Sequence, residues 1–92
     1  MVTRVQAFVS EVQDGDTFTT ADKEVVRLAE VCAPEVGKPG SAQATQTLRG
    51  LVERKYVTLE RVARDSYART VADVWVDGTH VNAYMRRAGY NC

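Results

Sequence analysis

The sequence predicts a mainly β fold with some α: a five-stranded Greek-key barrel with one inserted helix and a short C-terminal helix. Five segments rich in β-branched residues have the alternation or the turn boundaries of strands. One amphipathic helical stripe separates the third segment from the fourth, and a short helical pattern follows the fifth. At 92 residues the chain is expected to form one domain, residues 1–92. This order of elements is typical of barrels of the oligonucleotide-binding type.

The charge balance limits how the chain could meet a polyanion. Twelve Lys and Arg residues balance twelve Asp and Glu residues, so the formal net charge is zero. A neutral chain does not coat itself with nucleic acid through bulk charge. Any polyanion must therefore be met by arginines grouped locally.

The N-terminal residues do not resemble a secretory signal, because Arg4, Gln6 and Glu11 interrupt the apolar stretch. No run is apolar for long enough to cross a membrane. We expect no membrane association and a monomer, and the cytoplasm is the favoured compartment. The two cysteines, Cys32 and Cys92, are expected to be free thiols, with a disulfide as the minor alternative.

The first half predicts a three-stranded meander. In residues 2–12, Val5, Ala7 and Val9 alternate with polar or aromatic neighbours, but Val12 has the opposite parity. Such a slip predicts a bulge or bend, which a small barrel needs in order to close. A turn at 14–16 leads to the returning strand, 17–20, and a second turn leads to a third strand.

The third strand lies in the apolar run from Val26 to Glu35, where Pro34 ends it. This run carries Arg27 and ends in Glu35, and a buried strand has no structural need for either charge. Arg27 and Cys32 have opposite parity, so they share a site only if the strand bends or bulges between them. We expect that site at the C-terminal end of the strand, near the turn that holds Asp16.

The second half predicts a helix, two strands and a final helix. Ser41 is a plausible N-cap, and an apolar stripe continues to about Lys55. Strands follow at 56–62 and 69–76, separated by a polar segment. Asn82 is expected to cap the final helix, with Gly89 at its C′ position.

Five blocks resemble, in order and with similar spacing, the signature blocks of staphylococcal-nuclease-like (thermonuclease) domains. One Asp-Gly-Asp-Thr block would by itself indicate only a turn, whereas five ordered blocks extend over nearly the whole chain. The blocks are Asp14-Gly15-Asp16-Thr17-Phe18, Val26-Arg27-Leu28, Ala33-Pro34-Glu35, Asp65-Ser66-Tyr67-Ala68-Arg69 and Asp77-Gly78-Thr79-His80-Val81-Asn82.

The resemblance implies a calcium-dependent phosphodiesterase that acts on DNA and RNA, preferably single-stranded, and leaves 3′-phosphate ends. It implies that Arg27 and Arg69 grip the scissile phosphate and that Glu35 activates or positions the attacking water. These residue types suit the chemistry, because planar guanidinium groups match phosphoryl oxygens and a carboxylate can take the proton of water.

The resemblance also implies a set of metal-binding and nucleotide-binding positions. Asp16 matches a metal-ligating carboxylate, and Asp14 matches an acidic neighbour behind the metal. Ala33 falls where the family uses a backbone carbonyl as a ligand, and Tyr67 falls where a tyrosine lines the nucleotide pocket.

Cys32 stands where the family has a second metal-ligating aspartate. A thiol is mostly neutral at pH 7, and sulfur is a poor ligand for calcium. Three outcomes are therefore open. The site binds calcium weakly, with Asp14, Glu30 or water supplying the missing ligand. Otherwise it prefers another divalent cation, or it no longer catalyses. The alternative function is a catalytically impaired module that binds nucleic acid or protein. A third hypothesis is a barrel that serves only protein contacts.

Several residues have simpler structural interpretations. Taken alone, Cys32 is expected to be a small buried hydrophobic residue. His80 has no partner at useful spacing and is assigned a surface or capping place. Trp75, Tyr84 and Met85 are expected to belong to the core rather than to stack on bases.

Overall fold

The computed structural model describes residues 3–92 and contains a closed five-stranded barrel with two helices. The elements, in chain order, are β1 (Arg4–Asp14), β2 (Thr17–Thr20), β3 (Val25–Leu28), α1 (Ser41–Val52), β4 (Tyr56–Arg64), β5 (Thr70–Val76), β6 (Thr79–His80) and α2 (Val81–Arg87). The predicted fold class is therefore confirmed. The predicted first strand began at Val2, which lies outside the described residues.

The barrel closes through one parallel pairing. Antiparallel ladders run in the order β3-β2-β1-β4-β5, and β3 then pairs with β5 in parallel, with Arg27 opposite Val71. The two-residue strand β6 extends the sheet beyond β5 and was not predicted. Because the pairing is parallel, β3 lies beside the first residues of β5. Arg27 is in β3, and Arg69 immediately precedes β5.

Strand β1 bends sharply, as the change of parity predicted. Its first half pairs with β4 and its second half with β2, and the register shifts between Val9 and Glu11 and again between Val12 and Asp14. Both Val9 and Val12 are buried in spite of their opposite parity. The bend lets one strand take part in both sides of the barrel.

The core fills the barrel and the space beneath α1. The largest fully buried side chains come from every layer of the fold, namely Phe18 on β2, Leu28 on β3, Leu48 on α1, Leu59 on β4 and Met85 on α2. On β5, buried and half-buried residues alternate along the strand, as expected when one face packs on the core. No helix within residues 3–92 is long and apolar enough to cross a membrane.

The start of α1 differs from the prediction. Gly40, with φ of 85°, is the N-cap residue, whereas Ser41 is the first helical residue, is buried and makes no side-chain cap. The helix also ends at Val52 rather than near Lys55. Arg54 has a φ of 58° and donates its backbone N–H to the Val9 carbonyl, which turns the chain toward β4.

The predicted cap of α2 is also wrong. His80 is the N-cap residue, and Asn82 is completely buried inside the first turn. The Asn82 amide donates to the carbonyls of Ala29 and Ala72 at 3.0 Å, and its oxygen accepts from the Val74 N–H at 2.8 Å. Asn82 therefore ties the segment after β3 to β5. Gly89 does occupy the C′ position, with φ of 109°.

Candidate active site

The candidate site forms where β3 ends and the chain leaves the barrel. Strand β3 ends at Leu28 rather than at Pro34, so the predicted end of the third strand is wrong. Glu30 has a φ of 59°, and the chain bends between Arg27 and Cys32 as expected. The Leu28 N–H donates to the Asp16 carbonyl at 2.8 Å. This bond brings the turn after β1 against the end of β3.

A cavity of about 290 Å³ opens at this place. It brings together residues from the β1–β2 turn, β3, the segment after β3 and the start of β5. Its lining residues are Asp14, Asp16, Arg27, Cys32, Ala33, Pro34, Glu35 and Arg69. All the predicted catalytic and metal positions are in this set, and of the predicted site residues Tyr67 falls outside it.

The acidic turn has its own hydrogen-bond network. Asp16 is only 9% exposed; its Oδ1 accepts from the Thr17 hydroxyl at 2.8 Å and its Oδ2 accepts from the Ala33 N–H at 3.2 Å. Asp14 Oδ1 in turn accepts the Asp16 N–H at 3.0 Å. Burial raises the pKa of Asp14, and the hydrogen bond and charge of the Asp16 carboxylate add to this effect.

Gly15 allows the close packing of this turn. A Cβ atom at Gly15 would lie 2.5 Å from the Cβ of Ala44 on α1 and 2.6 Å from the Cβ of Ala33. Neither neighbour is a flexible side chain that could move aside. The glycine therefore lets the acidic turn contact both α1 and the segment that carries Glu35.

Arg27 is held by the acidic turn and by its own strand. Its Nη1 donates to the Leu28 carbonyl at 3.1 Å, and its Nη2 lies 3.7 Å from both Asp16 Oδ2 and the sulfur of Cys32. These contacts direct the guanidinium into the cavity. An incoming phosphate would meet a cation that is already oriented.

Arg69 is positioned by Asp65, to which the sequence analysis gave no role. Arg69 Nε donates to Asp65 Oδ2 at 2.7 Å, and the Arg69 backbone N–H donates to Oδ1 at 3.0 Å. Desolvation would raise the pKa of Asp65, but hydrogen bonds from Arg69 and from the Tyr67 N–H lower it overall. Because Nε makes the bond, the terminal nitrogens of Arg69 remain available to the cavity.

Tyr67 lies beside this arginine rather than in the cavity lining. The guanidinium carbon of Arg69 is 5.4 Å from the centre of the Tyr67 ring, and Tyr67 is 79% exposed. The ring can therefore contact a ligand only at the outer edge of the site.

Cys32 is joined to Cys92 by a disulfide, so the expectation of free thiols is wrong. The two Cα atoms are 4.9 Å apart although 60 positions separate them in the sequence. Two backbone contacts bring the segments together: the Cys32 N–H donates to the Tyr90 carbonyl at 2.9 Å, and Val31 bridges to Asn91. Cys32 is also exposed, which contradicts its interpretation as a buried hydrophobic residue.

These residues do not fit a complete calcium site. Calcium takes about six to eight oxygen ligands, whereas a disulfide sulfur supplies neither an oxygen nor a negative charge. Asp16 already accepts hydrogen bonds on both oxygens and faces Arg27. No group of three or more His, Cys, Asp or Glu residues within positions 3–92 is arranged to hold a metal ion.

Two aromatic predictions are wrong, and the prediction for His80 is correct only in part. The predicted capping place is confirmed, because His80 is the N-cap residue of α2, but the predicted lack of a partner is wrong. His80 does have a partner, since its Nε2 lies 3.0 Å from Asp73 Oδ1. Trp75 is not in the core but is half-buried between the His80 ring, at 4.9 Å, and the Arg4 guanidinium, at 4.3 Å. Tyr84 is 43% exposed, whereas Met85 is buried as expected. The place of Trp75 follows from strand β6, which brings His80 opposite Trp75 on β5.

The sequence is similar to that of known proteins. The model of the staphylococcal nuclease homologue family matches residues 25–92. An uncharacterized endonuclease from Haemophilus influenzae is 38% identical over 85 residues, which cover 88% of this chain and 48% of that protein. An uncharacterized endonuclease from Escherichia coli is 36% identical over 85 residues, with 88% and 56% covered.

A more distant relative carries the same family name. A probable staphylococcal-like nuclease from Oryza sativa subsp. japonica is 32% identical over 69 residues, which cover 75% of this chain and 21% of that protein. The chain spans about half the length of the two bacterial relatives.

Proposed function

The chain belongs to the staphylococcal nuclease family, and we propose that it is a nuclease that hydrolyses phosphodiester bonds of DNA or RNA. The observation that carries the proposal is the convergence of Arg27, Glu35 and Arg69 on one cavity from separate segments of the chain. Two cations and an exposed carboxylate are the groups that attack on a phosphate requires.

In the proposed reaction, water attacks phosphorus while Arg27 and Arg69 donate hydrogen bonds to the phosphoryl oxygens. Glu35 orients the water and takes its proton as the new P–O bond forms. The bond to the 5′ oxygen breaks, that oxygen gains a proton, and the phosphate stays on the 3′ side. Asp65 contributes by holding Nε of Arg69, which fixes the direction of the terminal nitrogens.

We propose that the calcium site of this chain is weakened or altered because Cys32 replaces an aspartate. Asp16, Asp14 and the Ala33 carbonyl are the hard oxygen donors nearest the cavity. A bound divalent cation would polarise the phosphate. The disulfide lowers the number of protein ligands, so any cation must take more of its oxygens from water and from the substrate phosphate.

We propose a single strand as the substrate and a monomer as the acting species. A flexible single strand can bend so that one phosphate enters a cavity of about 290 Å³, whereas the phosphates of a duplex are held on a stiff helix. Cleavage of matched single-stranded and duplex substrates, together with sedimentation of the protein, checks both statements.

The deciding experiment measures cleavage of an end-labelled single-stranded oligonucleotide with calcium or manganese. Glu35→Gln and Arg69→Ala are expected to lower the rate about 10²- to 10³-fold. Arg87→Ala, which removes an exposed arginine of α2 outside the cavity, should leave the rate unchanged. Mass spectrometry should find 3′-phosphate products. Cleavage that neither cavity substitution changes means that these roles are wrong.

The second candidate is a module that binds nucleic acid without cleaving it, and the Cys32–Cys92 bridge is the observation that favours it. Such a module would bind single-stranded oligonucleotides with an affinity that falls as salt rises, because Arg27 and Arg69 would displace counterions. It would show no cleavage with any divalent cation. A barrel used only for protein contacts would show no salt-dependent binding at all.

A further inference from the structure

A second cavity lies directly beside the candidate active site. Its volume is about 420 Å³, and it opens between the segment after Glu35 and the exposed side of α1. Its lining residues are Gln13, Val36, Gly37, Lys38, Ser41, Ala42, Thr45, Gln46 and Arg49. Consecutive residues line the two cavities at two places. Gln13 and Val36 line the second cavity, and Asp14 and Glu35, next to them in the sequence, line the first.

The lining of this second cavity suits an anionic ligand with an apolar part. Lys38 and Arg49 are its charged residues, and no carboxylate is among the lining residues. Val36, which is 76% exposed, provides apolar surface. Although the net charge of the chain is zero, a lining with two cations and no carboxylate attracts phosphate.

Arg49 is held in an orientation that leaves it able to bind. Its Nε pairs with Glu53 Oε2 at 3.3 Å, and the same Glu53 oxygen lies 3.4 Å from the Val12 N–H. The pair fixes the arginine on the surface of α1 while its terminal nitrogens extend beyond it. Glu53 offsets part of the Arg49 charge, so Lys38 is expected to contribute more to binding.

We propose that this cavity binds the nucleotide beyond the two that flank the scissile phosphate, with Lys38 and Arg49 contacting its phosphate and Val36 contacting its base or sugar. This inference rests on the proposed function, because it places the adjoining part of the same single strand. The strand would cross the segment 35–38 from one cavity to the other. Substrate length should therefore affect affinity: an octanucleotide reaches both cavities, whereas a dinucleotide fills only the first.

The test uses fluorescence anisotropy with a labelled octanucleotide and a labelled dinucleotide, over a series of salt concentrations. Both are measured in a Glu35→Gln background so that the ligand is not consumed. Lys38→Gln and Arg49→Gln should each weaken octanucleotide binding about two- to fivefold. Each should also make the slope of the logarithm of the binding constant against the logarithm of the salt concentration less negative by about 0.7. Dinucleotide affinity should not change.

Matched controls come from cations outside both cavities. Lys55→Gln and Arg87→Gln remove the same charges from exposed positions, and they should leave the binding of both ligands unchanged. Equal losses for the two ligands, or equal losses in the controls, would show that Lys38 and Arg49 act only through overall charge and would overturn the inference.

The proposed function and the inference can fail separately. If the wild-type protein cleaves nothing but binds the octanucleotide in a way that depends on Lys38, the nuclease proposal fails and the second cavity stands. If cleavage occurs but the Lys38 and Arg49 substitutions leave octanucleotide affinity unchanged, the cavity is not a nucleotide site. Absence of any salt-dependent binding would also overturn the inference.

Discussion

Cys32 lies in the lining of the cavity as one half of a disulfide. Its sulfur is bonded to Cys92 and lies 3.7 Å from Arg27, so the position offers Arg27 a weak acceptor that carries no negative charge. Arg27 also faces the Asp16 carboxylate, at 3.7 Å. The disulfide sulfur itself adds neither a negative charge nor an oxygen ligand to the site.

Placing a carboxylate at this position should strengthen calcium binding. Cys32→Asp, made together with Cys92→Ser, adds one negative hard ligand next to Asp16 and leaves no unpaired thiol. We expect calcium affinity to rise about 10- to 100-fold, measured by titration calorimetry. Any nuclease rate should rise with it.

The control for this prediction is Cys32→Ser with Cys92→Ser, which removes the bridge without adding a charge. If both double variants bind calcium equally, the carboxylate is not at a metal position and the correspondence with the family fails at Cys32. A gain in both variants relative to wild type would instead assign the effect to the loss of the bridge.

At the scale of elements, Glu24 joins the strands that close the barrel. Its carboxylate accepts from Arg61 on β4 at 2.6 and 2.8 Å and from the Thr70 hydroxyl on β5 at 2.6 Å. The Arg61 hydrogen bonds lower the pKa of Glu24 to about 2, against a cost of desolvation. Glu24 therefore joins the start of β3 to β4 and β5, close to the segment that carries Arg69.

The pH dependence of stability should reveal this contribution. Because the folded-state pKa is lowered, the stabilisation is fully present above the ordinary value of 4.5 and is lost as the pH falls toward about 2. Glu24→Gln should lower the free energy of unfolding by about 1 to 2 kcal/mol at pH 7, since partial exposure screens the pair. The difference from wild type should disappear near pH 2. Urea unfolding at several pH values measures it.

Glu11→Gln is the matched control, because Glu11 is an exposed carboxylate on β1. It should change stability little at any pH. A loss for Glu24→Gln that stays constant from pH 7 to pH 2 would mean that the substitution acts through packing rather than through the charge.

The elements could be predicted where the signal is local. The parity slip at Val12 predicted the bend of β1, and the charges of Arg27 and Glu35 pointed to the site. Features that depend on distant parts of the chain were missed. Asn82 was interpreted as a local cap, whereas its three partners lie on β5 and in the segment after β3.

The same limit applies to the candidate site. The resemblance named the residues that line the cavity, but it gave no role to Asp65, although its spacing of four residues from Arg69 offered a signal. It gave no sign of the second cavity, because Lys38 and Arg49 become neighbours only when α1 packs beside the segment after Glu35. Pairing of Cys32 with Cys92 likewise required the tertiary fold.

At the scale of the whole molecule, the site depends on the contact between the C-terminal residues 90–92 and the segment after β3. After α2, Tyr90 and Asn91 lie against Cys32 and Val31 through backbone contacts. The disulfide then fixes this contact between residues separated by 60 positions. The segment that carries Glu35 is thus anchored on one side by the acidic turn and on the other by residues 90–92.

Reduction of this bridge should therefore destabilise the whole fold. A native disulfide typically contributes about 2 to 4 kcal/mol, largely by restricting the unfolded chain. A dithiol reductant, which transfers two electrons and two protons to the sulfurs, should lower the free energy of unfolding of the wild-type protein by about this amount. Because Cys32 is exposed, reduction should not require prior unfolding.

Urea unfolding with and without the reductant measures the effect, and Cys92→Ser provides the control. This variant should have the stability of the reduced wild type and should not respond to the reductant. Thiol titration of the untreated native protein should find no free thiol. If titration instead finds two thiols, the bridge does not form. If reduction releases two thiols without changing stability, the backbone contacts of Val31 and Cys32 with residues 90–91 hold the segment by themselves.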